Sequence, residues 1–301
     1  MSSRPGDRAA LAITIFLVSL VLFDFMGLLI KELSDRYAAA ELSAYRNLFG
    51  LIPSTLFLLF SRAWHATGRK MYIRQWRLAI VRGLMVTLAQ LLYYFSLGAL
   101  AFATATTISY SNAIFMTALA VPLLGEKVGW VRWSAVLLGF FGVVLIVGPA
   151  SIDFGWAALT PLGAALLYAL NGITARMMDD EVPSPLLNLY SAGVAVVGSV
   201  LLVLLLGGFS PIKAPIDLLH IAGMGAFGGM AVLCMVVSYR MTEQSNLAPF
   251  SYFGIPTAFF FGWLFFEEAP WDALFPGALL IALGGLLVVW RERRMKARVA
   301  P

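Results

Sequence analysis

The sequence predicts an all-α integral membrane protein: ten transmembrane helices arranged as two inverted five-helix repeats, with N- and C-termini cytoplasmic. Three observations carry this expectation. Hydrophobic residues make up 60% of the chain and charged residues 12%, about half the charge of an ordinary soluble domain. Gly83 to Gly125 holds no charged residue over 43 positions, room for two spans of about 20 residues each. The chain also repeats itself weakly. An offset of 145 lays Gly27 on Gly172, Asp35 on Asp180, Tyr45 on Tyr190 and Ser54 on Ser199. After a three-residue shift, an offset of 142 lays Gly83 on Gly225, Ser109-Tyr110 on Ser251-Tyr252 and Glu126 on Glu268.

Each expected helix is an apolar run between charged or Pro/Gly punctuation. The first, 9–30, runs to Lys31 and Glu32; at about 22 residues it is too long for a signal peptide and is read as retained. The second, 41–61, ends before the basic stretch 62–77. The third and fourth, 78–99 and 102–124, divide the charge-free stretch. The fifth, 130–148, follows Lys127 and closes the first repeat, 9–148. Then come 155–176, 185–207, 217–239, 246–266 and 272–290, the second repeat, within 154–290. A basic tail occupies 291–301. Unbroken runs of this length exclude a β-barrel, whose strands alternate over about ten residues.

Basic residues set the orientation. Sixteen fall on the side that holds Arg4, Arg62, Arg69, Lys70, Arg74, Arg77 and the tail; three (Lys31, Arg36 and Lys213) fall opposite. That asymmetry places the sixteen in the cytoplasm. The net charge of +5 thus has a membrane explanation, and nothing presents a basic surface to nucleic acid. The loop 62–77 is expected to lie along lipid headgroups. Most tryptophans fall near span ends and are read as interfacial anchors. Cys234 is the single cysteine, and His65 and His220 have no metal-binding spacing, so neither a disulfide nor a metal site is expected. No cofactor motif is present. A monomer satisfies the reading.

The turn Leu124-Gly125-Glu126-Lys127 and its weaker copy Phe266-Glu267-Glu268 resemble the ends of EamA-type repeats. The chain is therefore similar to the drug/metabolite transporter superfamily and, within it, to the YddG-type amino-acid exporters. Phe266 stands where that pattern has Gly, leaving Glu267 and Glu268 both open as the partner of Glu126. Glu126 and Glu268 are read as carboxylates that cap the following helices.

Buried charge points to the cargo site, because an ionisable group inside a span costs at least about 2.5 kcal/mol. Asp24 and Arg46 each lie about 8 Å deep at 1.5 Å per residue, on neighbouring helices that let them meet. They are read either as a structural ion pair or as the groups that recognise an ammonium (or proton) and a carboxylate. Arg82 is read as an anchor snorkelling to the surface. A second tier of polar and aromatic side chains marks the interior: Gln90, Tyr93, Tyr94, Tyr110, Asn112, Tyr168, Asn171, Tyr239, Ser251 and Tyr252. Hydroxyls and amides are disfavoured against lipid and face partners or a cavity. Pro53, Pro122, Pro249 and Pro256 are candidate bending points.

What the resemblance implies is a secondary transporter in a bacterial inner membrane. It would export small amphipathic metabolites, amino acids (aromatic or otherwise neutral) first among them, by alternating access around a central cavity between the repeats. No phosphate-binding loop provides for ATP, and no cluster of nucleophiles and bases provides for an enzyme. The alternative cargo is a cationic or lipophilic drug.

Overall fold

The structure, a computed structural model, describes residues 5–100, 102–109, 111–126, 128–147, 156–179, 181–242 and 247–267, with positions 276, 279, 280 and 283. Within these the chain is helical. The elements are α1 (Pro5–Ser34), α2 (Ala39–Leu59), the short α3 (Arg62–Ala66), α4 (Trp76–Ala99), α5 (Phe102–Ser109), α6 (Asn112–Leu124) and α7 (Trp130–Val147). They continue with α8 (Trp156–Arg176), α9 (Ser184–Leu205), α10 (Pro215–Met241), a 3-10 turn (Ala248–Phe253) and α11 (Gly254–Phe266).

The expectation of ten transmembrane helices in two five-helix repeats is corrected. Among the described residues, four helices are long and apolar enough to cross a bilayer: Ala9–Ser34 within α1, then α4, α9 and α10. Asn112–Leu124, Trp133–Gly142 and Pro256–Phe266 are apolar but short. The reason is visible in the runs themselves. The stretch 102–124 is cut after Ser109 and restarts at Asn112, so it yields helices of 8 and 13 residues. The stretch 246–266 begins as a 3-10 turn and becomes α-helical only from Gly254. The α2 helix has the length, but its apolar sequence is diluted by a buried polar stripe. The stretch 272–290 falls largely outside the described residues, as does the tail.

That stripe explains how the bundle is put together. Ser43, Asn47, Gly50 and Ser54 recur at helical spacing on α2 and are all buried, whereas Leu48, Ile52, Leu56 and Leu59 are exposed. Polarity is turned inside out, as for a helix in lipid, where hydroxyls and amides find partners on other helices. The facing stripe on α9 is Asn188, Ser191, Ala195 and Ser199, also buried. Asn188 near the start of α9 bonds Ser54 late in α2 (2.9 Å), and Asn47 early in α2 bonds Ser199 late in α9 (3.3 Å). The two helices therefore run antiparallel.

Glycine sets the closest approaches. A Cβ on Gly83 of α4 would meet the Ser191 carbonyl at 2.8 Å and collide with Val194. A Cβ on Gly225 of α10 would collide with Phe49 and lie 3.1 Å from the Gly50 amide. Matched in the sequence at offset 142, these two glycines do the same job at the α4–α9 and α10–α2 crossings. The α6 and α11 helices correspond likewise: each has 13 residues, and each ends on a residue in the left-handed region, Gly125 at φ 67° and Glu267 at φ 56°. Glu267 thus holds the capping position of Gly125, which makes Glu268, outside the described residues, the partner of Glu126. Glu126 itself bonds Arg176 of α8 at 2.9 Å. Trp64, expected as an anchor, is 8% exposed and packs with Leu58, Ile73 and Leu187. Trp130, by contrast, is 90% exposed.

Candidate functional site

The bundle is tied shut at two faces. At one, Asp217 near the start of α10 is completely buried and accepts hydrogen bonds from Arg36, from the Tyr37 hydroxyl (2.8 Å) and from the Ala214 amide (3.2 Å). Burial raises the Tyr37 phenol above its ordinary pKa, the Lys213 amide that bonds it works against the rise, and Asp217 adds to it. The phenol therefore stays protonated as a donor. Nearby, Glu41 accepts from the Ser210 and Ala38 amides, joining the start of α2 to the connection before α10. At the other face, Arg240 donates to the Val182 and Asp179 carbonyls and to Ser184. Gln75 there bonds the Met177 carbonyl (3.3 Å) and the Asp179 amide (2.9 Å).

Between the faces, α2, α4, α8, α9 and α10 enclose a polar cleft. Arg46, Arg82, Asn171, Asn188, Ser191 and Ser54 line it. Its volume of ≈ 20 Å³ is room for about one water. A larger hollow of ≈ 540 Å³ lies between Thr67, Lys70, Arg74 and the residues Asp179, Glu181, Val182, Pro183 and Leu186. It opens among loops at the Arg240 face rather than between the helices, so the small cleft is the better candidate on chemical grounds.

The expected site residues separate into two groups. Asp24 and Arg46 are both buried, 3% and 4% exposed, but they do not pair. Asp24 accepts a hydrogen bond from the Thr257 hydroxyl of α11. Arg46 donates to the Asn47 side chain (3.0 Å) and the Gly228 carbonyl (2.8 Å), while its Nε is buried without a partner. Gln90 sits beside the cleft, accepting from Ser43 (3.0 Å) and Asn47 (2.7 Å). Asn171 lines the cleft with its Oδ1 unsatisfied.

The second group lies toward α1, α5 and α11. The hydroxyl of Tyr93 meets that of Thr106 at 3.2 Å, and the Tyr94 hydroxyl reaches the Met26 sulfur at 3.9 Å. Tyr93 is within electrostatic reach of Asp24, as Tyr94 and Tyr168 are of Arg46. Tyr239 belongs to an apolar cluster with Phe16 and Met116, and packs against Gly172. Asn112 and Ser251 sit where the two helical runs are interrupted, and each has a buried oxygen without a partner. Tyr110 lies outside the described residues, and so does the side chain of Tyr252.

Arg82 corrects the sequence reading most sharply. It does not snorkel: it is 1% exposed. Its guanidinium donates to the Asn171 carbonyl, to Thr174 (2.9 Å) and to Ser191 (3.4 Å). Asn47, Asn188, Ser191 and Ser199 were also missed. The signal that finds them is the polar recurrence at helical spacing on α2 and α9, which single-residue scanning overlooks.

A membrane-embedded bundle closed around a desolvated polar cleft is the anatomy of a solute carrier. The comparison with known families agrees, for the chain belongs to the EamA-like transporter family, whose pattern matches residues 10–148 and again 155–290. It is accordingly a multi-pass membrane transporter of small metabolites, not an enzyme. The chain is 26% identical to an S-adenosylmethionine uptake transporter of Rickettsia felis, over 94% of each protein. It is 32% identical to a riboflavin transporter of Rhizobium johnstonii, over 59% of this chain and 58% of that one. The pseudopaline exporter CntI of Pseudomonas aeruginosa is 26% identical over 89% of each. A solved crystal structure shares the fold with a TM-score of 0.78 at 18% identity, covering 95% of this chain and 99% of the other.

Proposed function

We propose that the protein exports amino acids, aromatic or otherwise neutral, by alternating access around the cleft at the junction of its two family segments. The observation that carries this reading is the pairing, in one buried cleft, of an unneutralised guanidinium with an unsatisfied acceptor. Among the described residues Arg46 bonds only neutral groups, and the Asn171 Oδ1 bonds nothing. A carboxylate completes the first, since charge-assisted Arg–carboxylate bonds are the strong ones. An ammonium N–H completes the second. Together they suit the head of an amino acid, a group that S-adenosylmethionine also carries. A drug cation would meet Arg46 as a like charge, which makes that alternative the weaker one.

In this reading the structure is a closed state. A cleft that holds about one water admits no amino acid, so cargo enters only when one of the tied faces opens. Counterflow in proteoliposomes tests the proposal. Labelled phenylalanine or another neutral amino acid should exchange, lipophilic cations should not, and Arg46→Ala should reduce the exchange at least about tenfold, the loss of one charge-assisted bond. Exchange of cations in preference to amino acids, undiminished in Arg46→Ala, would sink it.

A further inference from the structure

The larger hollow stands in series with the cleft. On α2 the cleft residue Ser54 is followed one turn later by Leu58. On α8, Asn171 of the cleft is followed by Ala175 and then by Asp179 of the hollow. On α10, Val232 of the cleft is followed by Val236 and then by Arg240, which ties the wall of the hollow. The α9 helix runs the other way, with Asn188 on the cleft, Leu187 next to it and Pro183 on the hollow. Leu58, Ala175, Leu187 and Val236 are all buried in one apolar cluster. That cluster is a plug between two polar spaces.

Both walls of the hollow are braced. One is the segment 66–74. Its Lys70 carbonyl accepts from the Trp64 indole (3.1 Å), its Met71 carbonyl accepts from the Tyr190 hydroxyl (2.7 Å), and Ile73 is buried. The other is the connection from α8 to α9, which Gln75 and Arg240 hold by its backbone. Charge is sorted between the two: Lys70 and Arg74 come from the first wall, Asp179 and Glu181 from the second. None of the four belongs to an ion pair among the described residues. The space of ≈ 540 Å³ is therefore not closed by salt bridges, and it falls within the range of about 300–1,000 Å³ typical of small-molecule sites.

A hollow with one basic and one acidic wall selects for one kind of molecule. A simple cation or anion is drawn to one wall and repelled by the other, whereas a zwitterion gains at both. We propose that the hollow is a loading site for zwitterions, with the cargo's carboxylate on Lys70 and Arg74 and its ammonium on Asp179 and Glu181 before the plug opens. This rests on the transport reading above and deepens it by giving the same cargo a site outside the cleft. The segment that receives the ammonium is also the one that Arg240 ties to α10.

The test uses full-length protein carrying Cys234→Ala and Ala66→Cys, the latter an exposed position on the hollow. In detergent, phenylalanine should slow the reaction of the new cysteine with a thiol reagent. Phenethylamine and 3-phenylpropionate should need at least about fivefold more for the same protection. Lys70→Gln with Arg74→Gln, or Asp179→Asn with Glu181→Gln, should weaken protection by phenylalanine about fivefold. All four side chains are exposed, so these variants should fold. Protection should persist with Arg46→Ala, which disables the cleft. In counterflow, either wall variant should raise the half-saturating phenylalanine concentration about fivefold and leave the rate at saturation unchanged. Added salt should raise it in the wild type and not in the variants. The proposal is overturned if phenylalanine gives no protection, if a singly charged probe protects as well, or if Arg46→Ala abolishes the effect. Protection by phosphoethanolamine in preference to phenylalanine would overturn it too, and would make the hollow a lipid-headgroup site. Protection by phenylalanine without any counterflow would remove amino acids as cargo and leave the zwitterion site standing. Counterflow indifferent to both wall variants would remove the loading site and leave the carrier.

Discussion

Asp24 is a buried carboxylate whose one bonded neighbour among the described residues is a hydroxyl on another helix, Thr257 of α11. A group so placed is suited to gain and lose a proton as α1 and α11 move relative to each other. Asp24→Asn preserves the shape and removes the titration. If Asp24 couples transport to protons, the variant should exchange cargo across liposomes without a gradient, but no longer accumulate it when a pH gradient is imposed. Accumulation at the wild-type level would exclude Asp24 as the coupling site. The sequence made Asp24 and Arg46 conspicuous because charge inside an apolar run is rare. It could not show that they turn to different partners, since that depends on side-chain direction at two helix crossings. Arg82 was misread for a related reason. Its distance from the end of α4 fits snorkelling, and only the hydroxyls of α8 and α9, remote in sequence, draw it inward.

Among the elements, the crossings of α4 with α9 and of α2 with α10 rest on glycine. Gly83→Ala should lower the unfolding midpoint, by the equivalent of about 1–3 kcal/mol for an overpacked contact, because the Ser191 carbonyl at 2.8 Å is backbone and cannot swing away. Gly193→Ala, on α9, meets nothing within 4 Å and should be neutral or stabilising by about 0.5–1 kcal/mol. Thermal unfolding of both in one detergent is the check; equal loss in the two would refute the packing argument. These glycines were legible as matched positions, Gly83 on Gly225, before any geometry was known. The continuity of the helices was not. Hydropathy reports that a run is apolar, and it is blind to a chain that stops at Ser109 and restarts at Asn112. That blindness made one span of 102–124.

For the whole molecule, the ties at the two faces decide which way the cleft opens. Asp217→Asn keeps the hydrogen-bonding shape but gives up the charge that holds Arg36 and Tyr37. A cysteine placed at Ser191 on the cleft should then react faster with a membrane-impermeant thiol reagent added from the Tyr37 face, at least several-fold for each kcal/mol removed from the closed state. An unchanged rate would mean that Asp217 holds the loops without gating the path. Cys234 is the single native cysteine and would be replaced first.

The two guanidiniums in the cleft have an effect that does not depend on cargo. Hydronium and sodium ions approaching the constriction from either side meet fixed positive charge in a place with room for about one water, and such an arginine barrier excludes cations. The carrier can therefore stand closed in the membrane without short-circuiting the membrane potential.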